Sequence, residues 1–324
     1  MSTVVKIYNQ GSPDVLTLEE QKLETPRAGE VKIRQEAIGV NFVDVYMRNG
    51  YYGIPHIPFT LGVEGAGIVE EVGGSETKLK KNDRVAYFFS PGAYAEHRLI
   101  KETALIKIPD DISFEVAATI LAKGLTARML IKQVYQLKPS DTILVHAASG
   151  GVGTLLVRWA KSLKAKVIAV VGSSAKIEHA KNSGADVVLL SSSKDFAQQV
   201  LDATNGKGVD VVYDGIAGYA FPLSIQSVRT GGKIFLFGFS GGDADTAKYS
   251  QEIINKQIEL DTPAIGMYVR QTDVLEEATA DLFATYRSGI LGTAKPTSYS
   301  LSDVVQVHKD LEARVTTGSV IMKP

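Results

Sequence analysis

The chain contains no cysteine among its 324 residues. Disulfide bonds, thiolate metal ligands and cysteine nucleophiles are therefore excluded. An excess of one charge is also missing, because 35 Lys and Arg residues oppose 36 Asp and Glu residues and leave a formal net charge of −1. Such a chain has no positive field to attract a phosphate backbone, so nucleic acid is not expected as its main partner.

Long apolar runs are missing as well. No stretch approaches the roughly 20 residues that cross a bilayer, and the first residues, Met1–Lys6, lack the apolar core of a signal peptide. The sequence therefore predicts a cytoplasmic protein with no membrane partner. Its length suits two domains of ordinary size, each able to bury a core of its own.

Apolar runs alternate with helical patterns from residue 142 to about residue 261. The runs are continuous, as in Val167–Val171 and Val209–Tyr213, which is typical of parallel strands buried on both faces. The predicted strands are 142–147, 166–171, 186–190, 209–213, 232–238 and 257–261. This pattern predicts an α/β fold with a doubly wound parallel sheet.

The rest of the chain has a different pattern. Short alternating strands are predicted at 4–8, 30–38, 67–72 and 84–88, helices at 272–288 and 302–313, and a final strand at Ser319–Lys323. We expect that final strand to join the first sheet, so that one domain is inserted into the other. The predicted division is a β-rich domain of 1–124 and 266–324 and a nucleotide-binding domain of 125–265.

A strand that runs directly into a glycine turn is the most informative motif. Residues 142–153 read Thr-Ile-Leu-Val-His-Ala-Ala-Ser-Gly-Gly-Val-Gly, and the amphipathic stretch Thr154–Leu163 follows. The spacing fits the G-x-G-x-x-G fingerprint when Ala148 takes the first position, before Gly150, Gly151, Val152 and Gly153. Such a turn lets the backbone approach a pyrophosphate at a helix N-terminus. The motif predicts a dinucleotide site, and an ordinary strand-to-helix turn is the alternative.

The residues after the second strand of this domain indicate which dinucleotide binds there. Sites for NAD place Asp or Glu about 20 residues after the glycine turn, to accept hydrogen bonds from the ribose hydroxyls. Here that place holds Gly172, Ser173 and Ser174, followed by Lys176. Hydroxyl and ammonium groups can donate to an additional phosphate, so the sequence predicts NADPH. The alternative is that Lys176 is only a solvated charge at a helix start.

Further motifs extend over nearly the whole chain. They are Asn41–Tyr46, Gly62–Gly67, Asp83–Val85, Lys123–Thr126, Ala147–Gly153, Val211–Asp214 and Arg314–Gly318. With them the chain resembles the quinone oxidoreductase (zeta-crystallin-like) branch of the medium-chain dehydrogenases/reductases. The resemblance implies a groES-like β-rich catalytic domain plus a Rossmann domain, dimeric or larger assembly, and NADPH-dependent reduction of quinones or related conjugated carbonyls.

A zinc site is not expected. Zinc-dependent relatives carry Gly-His-Glu where this chain has Gly62-Val63-Glu64, and they add a cysteine ligand. A catalytic zinc site needs three protein ligands, whereas the 5 histidines are scattered singly along the sequence. For Glu64 we favour a structural carboxylate that holds neighbouring backbone over a catalytic group.

Candidate catalytic residues lie in the first domain. The resemblance places Asn41–Tyr46 where zinc-dependent relatives have a loop of catalytic ligands, and Asn41 and Tyr46 offer an amide and a phenol to a substrate oxygen. Tyr52 could stack on a flat ring or supply a proton, and Tyr51 competes for that role. The alternative is that these tyrosines only fill the wall of a groove.

The resemblance also implies further cofactor contacts. Lys123 and Thr126 are expected near the nicotinamide, with a domain junction as the alternative, and Arg314 is expected at the cofactor or at the domain interface. Phe237 and Gly238 follow the fifth strand of the nucleotide-binding domain. Many relatives have a tyrosine after the third strand at the adenosine phosphate, and Ser191 takes that position here.

Other functions stay open at this point. An enone, alkenal or enoyl-thioester reductase would use the same cofactor site and differ in the pocket beside Tyr46 and Tyr52. A single-stranded RNA-binding or structural, crystallin-like role is more distant. The resemblance further implies a homodimer that pairs its sheets along the strand Gln257–Asp261, because an open strand edge is favourably covered.

Overall fold

The computed structural model describes residues 1–75, 77–293 and 295–324. The chain divides into two compact units. The β unit comprises Met1–Ala122 and Ala294–Pro324, and the α/β unit comprises Lys123–Thr293.

The strands are β1 Ser2–Ile7, β2 Thr17–Gln21, β3 Glu30–Val40, β4 Phe59–Thr60, β5 Glu64–Val72, β6 Arg84–Tyr87, β7 His97–Lys101, β8 Ile106–Lys107, β9 Thr142–Val145, β10 Lys166–Val171, β11 Val187–Leu190, β12 Val209–Asp214, β13 Val228–Leu236, β14 Glu259–Asp261, β15 Thr297–Ser300 and β16 Val320–Lys323. The α-helices are α1 Phe42–Asn49, α2 Phe114–Arg128, α3 Gly151–Ser162, α4 Ile177–Asn182, α5 Phe196–Ala203, α6 Phe221–Ser227, α7 Ser250–Asn255, α8 Ile265–Tyr268, α9 Thr272–Arg287 and α10 Val304–Glu312.

The long strand β3 organises the β unit. It pairs with β5, β7 and β16, all antiparallel, in a sheet of order β15-β16-β3-β5-β6-β8. The remaining strands of this unit form a second sheet of order β2-β1-β4. Alternate β3 residues such as Val31 and Ile33 are fully buried in the apolar core, as the period of two along a strand requires. The pairing of β16 with β3 confirms that the end of the chain joins the first sheet.

The α/β unit contains a six-stranded parallel sheet of order β11-β10-β9-β12-β13-β14. Its central strands are buried throughout, as in Ile143–Val145, because helices cover both faces of such a sheet. Taken along the chain the order is 3-2-1-4-5-6, that of a dinucleotide-binding fold. The predicted doubly wound architecture is therefore confirmed.

Predicted and observed bounds differ most where strands carry exposed residues. β13 begins at Val228 rather than at residue 232, because Val228 pairs with Val209 across a bulge before regular pairing resumes at Lys233. The exposed strands β2 and β15 lack an apolar alternation and were not predicted. The short helix α1 was not predicted either.

The α/β unit ends at Thr293, whereas the sequence predicts a boundary at 265/266. The two differ because α9 belongs to the α/β unit. Asp281 on α9 accepts hydrogen bonds from Arg128 Nε at 2.6 Å and from Lys132 Nζ at 2.8 Å. A Cβ on Gly124 would lie only 2.5 Å from Leu282 Cδ1, so α2 and α9 approach closely. These contacts hold α9 in the α/β unit.

Within the described ranges, no helix combines the length and the apolarity that crossing a bilayer would require.

Candidate functional site

The glycine turn joins β9 to the N-terminus of α3. Ala147 adopts a left-handed conformation with φ 50°, and Gly150 N donates to Ala147 O at 2.9 Å. Gly150 is the N-cap of α3 and Thr154 N bonds its carbonyl at 2.9 Å. Gly151, Val152 and Gly153 thus form the first turn of α3, where backbone N–H groups lack intrahelical acceptors. This turn can donate hydrogen bonds to an anion.

Gly153 leaves no room for a side chain. A Cβ at this position would lie 2.3 Å from Ala147 O and 2.8 Å from Ala148 Cα. The buried Ala148 is held from the other side, since its N–H bonds Val170 O at 3.2 Å. Close contact between the helix start and the strand end is the function of the third glycine in dinucleotide-binding turns.

The segment after β10 lies beside this turn, because β10 and β9 are neighbours in the sheet. Ser173 and Ser174 are exposed there and Lys176 is half-buried at the start of α4. Lys176 N donates to Ser173 O at 3.1 Å. The five residues from Gly172 to Lys176 include no carboxylate, so they offer hydroxyl and ammonium donors where an NAD site would have an acceptor.

Ser191 lies at the next strand end. Its N–H bonds Val171 O at 3.0 Å, which brings it beside the end of β10. The glycine turn, the segment of Ser173, Ser174 and Lys176, and Ser191 therefore follow one another along the carboxyl edge of β9, β10 and β11. Donors in this arrangement fit the pyrophosphate and an additional phosphate of a dinucleotide.

The loops after β12 and β13 pack backbone against backbone. A Cβ on Gly238 would lie 2.7 Å from Gly215 O, and one on Gly218 would lie 1.9 Å from Gly241 O. The half-buried Phe237 donates its N–H to Asp214 O at 2.9 Å. Phe237 and Gly238 therefore lie at the same carboxyl edge of the sheet as the glycine turn.

The remaining cofactor candidates lie on other elements. Lys123 is buried and Thr126 is half-buried on α2, three residues apart and hence on one face of the helix. Arg314 belongs to the β unit, where it is exposed directly after α10 with φ 58°.

A buried polar chain that the sequence did not reveal links β9, β12 and α6. Ser224 Oγ donates to Asp214 Oδ2 at 2.8 Å and lies 3.1 Å from His146 Nε2, which leaves the Nε2–H form of His146 as donor. Asp214 Oδ1 accepts from the N–H groups of Ile216 at 2.8 Å and Ala217 at 2.9 Å. Burial lowers the pKa of His146, against the opposing effect of Asp214. These hydrogen bonds thus position the loop after β12. Their order, with serine between histidine and aspartate, differs from that of a hydrolytic triad, in which histidine lies between serine and aspartate.

In the β unit, Glu64 connects Asn41 to α2. Asn41 Nδ2 donates to Glu64 Oε2 at 2.9 Å, and Ala122 N donates to Glu64 Oε1 at 2.8 Å. Glu64 is fully buried at the start of β5. Both carboxylate oxygens hold neighbouring groups, which is the arrangement expected of a structural carboxylate.

Helix α1 places three tyrosines together. The ring centroid of the buried Tyr46 lies 5.1 Å from that of Tyr51 and 5.1 Å from that of Tyr52. Tyr52 N bonds Tyr46 O at 2.9 Å, which folds the loop after Gly50 back onto the helix. Tyr51 and Tyr52 are 41% and 38% exposed, so they present an aromatic surface next to Tyr46.

A second buried network lies behind α1. Asp44 accepts hydrogen bonds from Asn41 N at 2.8 Å and from the Tyr94 hydroxyl at 3.0 Å. The Tyr94 oxygen lies 3.1 Å from His308 Nε2, and Arg48 Nη2 donates to Glu312 at 2.7 Å. Burial raises the pKa of Tyr94 well above its usual value, with Asp44 adding to the effect. The spacing of Asn41 and Asp44 is typical of a capping box, so the sequence could have indicated this pair but not the rest of the network.

Among the described residues no group of three or more His, Asp or Glu side chains is arranged to hold a metal. Glu64, which follows the position of the histidine ligand in zinc-dependent relatives, already accepts two hydrogen bonds.

Comparison with known proteins identifies relatives for both parts of the chain. Residues 27–110 match the alcohol dehydrogenase GroES-like domain family, and residues 151–284 match the zinc-binding dehydrogenase family. A quinone oxidoreductase from Pseudomonas aeruginosa is 35% identical over 325 residues, which cover 100% of both chains. A 2-haloacrylate reductase from a Burkholderia species is 35% identical over 328 residues and 98% of each chain.

A solved structure extends the comparison to three dimensions. The crystal structure of Escherichia coli quinone oxidoreductase complexed with NADPH aligns with a TM-score of 0.94 and 34% identity, over 99% of this chain and 100% of that one. The similarity therefore covers both units from end to end. The chain belongs to the quinone oxidoreductase branch of the medium-chain dehydrogenase/reductase superfamily.

Proposed function

We propose that this protein is an NADPH-dependent reductase that transfers hydride to quinones or related conjugated carbonyls. The observation that carries the proposal is the carboxyl edge of β9 and β10, where a glycine turn at a helix N-terminus adjoins hydroxyl and ammonium donors without a carboxylate. The NADPH complex of the Escherichia coli relative supports the same cofactor.

The proposed roles at the nucleotide follow from position. The N–H groups of Gly151, Val152 and Gly153 bind the pyrophosphate, because they open the first turn of α3. Ser173, Ser174 and Lys176 bind the 2′-phosphate, with Ser191 next to them. Contacts of Ala148, Gly150, Phe237, Gly238, Lys123, Thr126 and Arg314 with the cofactor are part of the same proposal.

The proposed roles at the acceptor belong to α1 and the loop after it. NADPH supplies the hydride when bound. A quinone that accepts it on one oxygen and a proton on the other becomes a hydroquinone. Asn41 and Tyr46 donate hydrogen bonds to the oxygen on which negative charge develops, and the exposed ring of Tyr52 stacks on the acceptor or supplies the proton.

A second candidate is a reductase of conjugated alkenes that bear a carbonyl or carboxylate group. The relative that is named for 2-haloacrylate is as similar to this chain as the quinone oxidoreductase from Pseudomonas aeruginosa, at 35% identity. In this reaction hydride adds to the β-carbon and a proton adds to the α-carbon. The same cofactor site serves both reactions.

We further propose a homodimer that pairs two copies through β14. This strand lies at the edge of the parallel sheet, and exposed Ile254 and Met267 lie close to it in sequence on either side. Pairing would cover both the open backbone edge and these side chains. A cytoplasmic location and the lack of a nucleic-acid partner stay predictions from the sequence. Light scattering tests the dimer, and a monomer would contradict it.

The experiment for the main proposal has two steps. Fluorescence titrations with NADPH and NADH measure both dissociation constants, and steady-state assays then use 1,4-benzoquinone, 9,10-phenanthrenequinone and a simple enone. We expect selective NADPH binding and oxidation of NADPH by a quinone. Turnover with the enone alone would favour the second candidate, and binding of neither nucleotide would overturn the proposal.

A further inference from the structure

One side-chain hydrogen bond joins the two phosphate-facing segments of the α/β unit. Thr154 Oγ1, in the first turn of α3, lies 3.0 Å from His179 Nε2 on α4. The same hydroxyl lies 3.5 Å from Ala148 O in the glycine turn. Thr154 is 6% exposed and His179 is half-buried, so the bond is partly shielded from competing water.

Each end of this bond is attached to one anion-binding segment. Thr154 directly follows Gly153, and its N–H bonds Gly150 O at 2.9 Å. His179 lies three residues after Lys176, which is the N-cap of α4, so the two residues are about one helical turn apart. A shift of His179 therefore carries Lys176 and the preceding serines with it.

The surroundings of His179 favour the neutral imidazole. Burial lowers its pKa, and the nearby cations Arg158 and Lys176 lower it further. A neutral imidazole has one nitrogen that can accept a hydrogen bond, so the threonine hydroxyl is a suitable partner. With His179 neutral, Lys176 is the cation within the Ser173–Lys176 segment that can pair with a phosphate.

We infer that Thr154 and His179 are positioning residues that set the distance between the glycine turn and the Ser173–Lys176 segment, and that their hydrogen bond thereby supports selection of NADPH over NADH. The inference rests on the proposed nucleotide site and extends it to two residues that do not themselves contact the phosphates. Because NADH lacks the 2′-phosphate, its binding depends less than that of NADPH on the position of the Ser173–Lys176 segment.

The test compares variants that remove the bond with variants that keep it. Thr154→Val and His179→Leu remove it at similar volume, whereas Thr154→Ser and His179→Gln retain a hydroxyl or an amide at the same place. The readout is the dissociation constant for NADH divided by that for NADPH, both measured by fluorescence titration. We expect the first two variants to lower this ratio by about threefold to tenfold, the factor that one ordinary hydrogen bond contributes. The two conservative variants should keep the ratio of the unmodified protein.

A double variant gives a second criterion. If both residues act through one bond, Thr154→Val with His179→Leu lowers the ratio no more than either change alone. Additive losses would overturn the inference, as would equal weakening of NADPH and NADH or a loss of selectivity in His179→Gln equal to that in His179→Leu. A parent protein that binds neither nucleotide would instead refute the proposed function, so the two failures are distinguishable.

Discussion

Replacement of Gly153 by alanine tests the glycine turn directly. The new Cβ would lie 2.3 Å from Ala147 O and 2.8 Å from Ala148 Cα, both backbone atoms that a rotamer change cannot move. Since non-bonded carbon atoms rest about 3.5–4.0 Å apart, the start of α3 must move by ~1 Å or more. Overpacking of this kind costs about 1–3 kcal/mol, which corresponds to a decrease in Tm of roughly 3–9 °C for a unit of this size.

The same shift should weaken nucleotide binding. A displacement of this size lengthens the hydrogen bonds that the first turn of α3 offers to the pyrophosphate. Loss of one charge-assisted hydrogen bond costs about 1.5–3 kcal/mol, so NADPH should bind about 10- to 100-fold more weakly. Thermal denaturation and fluorescence titration of Gly153→Ala measure the two effects separately.

Gly150→Ala is the matched control for stability. Gly150 has φ −83° and ψ 179°, which any residue adopts, and its Cβ would lie 3.2 Å from Ala147 O. A few tenths of an ångström of movement relieve this contact, so Tm should change by less than about 3 °C. Equal decreases in Tm for the two variants, or none for Gly153→Ala, would refute the reasoning.

Three further predictions concern the β unit. In Glu64→Gln the new amide NH2 faces another hydrogen-bond donor, either the Asn41 amide or a backbone N–H of α2. We therefore expect thermal denaturation to show a loss of stability of about 1–3 kcal/mol. Unchanged stability with a lower kcat would instead indicate a catalytic role. Asn41→Ala and Tyr46→Phe should lower kcat by about tenfold or more if these groups stabilise charge on the acceptor oxygen, and unchanged kcat in both would remove the assignment. Burial, with Arg48 adding to it, lowers the pKa of His308 to about 3. The unfolded chain therefore binds a proton that the folded chain does not, and stability should fall as pH drops from about 6.5 towards 3, by about 2 kcal/mol at pH 5. Urea unfolding of His308→Gln should lack this part of the pH dependence, and an unchanged pH profile would contradict it.

The sequence contained the information for the sheet of the α/β unit, because its strands are continuous apolar runs separated by helical patterns. It did not predict β15, whose residues are mostly exposed and whose partner β16 supplies the pairing. Helix α1 has only eight residues, too few for a clear helical period. The spacing of Asn41 and Asp44 and the glycine at position 50 were its available signals.

The candidate site was predictable to the extent that it is local in sequence. The glycine turn and the segment of Ser173, Ser174 and Lys176 each occupy a few consecutive residues. The bond of Thr154 to His179 joins residues 25 positions apart, and that of His146 to Ser224 joins residues 78 positions apart. Such pairs depend on how the helices pack against the sheet, and a single sequence does not specify that packing.

The glycine contacts between the loops after β12 and β13 have a consequence for redesign of this enzyme. A Cβ on Gly218 would lie 1.9 Å from Gly241 O in the other loop, and a Cβ on Gly238 would lie 2.7 Å from Gly215 O, so backbone atoms exclude even a methyl group at these two positions. A loop from another reductase that has a side chain at position 218 or 238 would therefore strike the backbone of the loop left in place. A graft at this edge of the sheet that introduces a side chain at either position has to transfer both loops together.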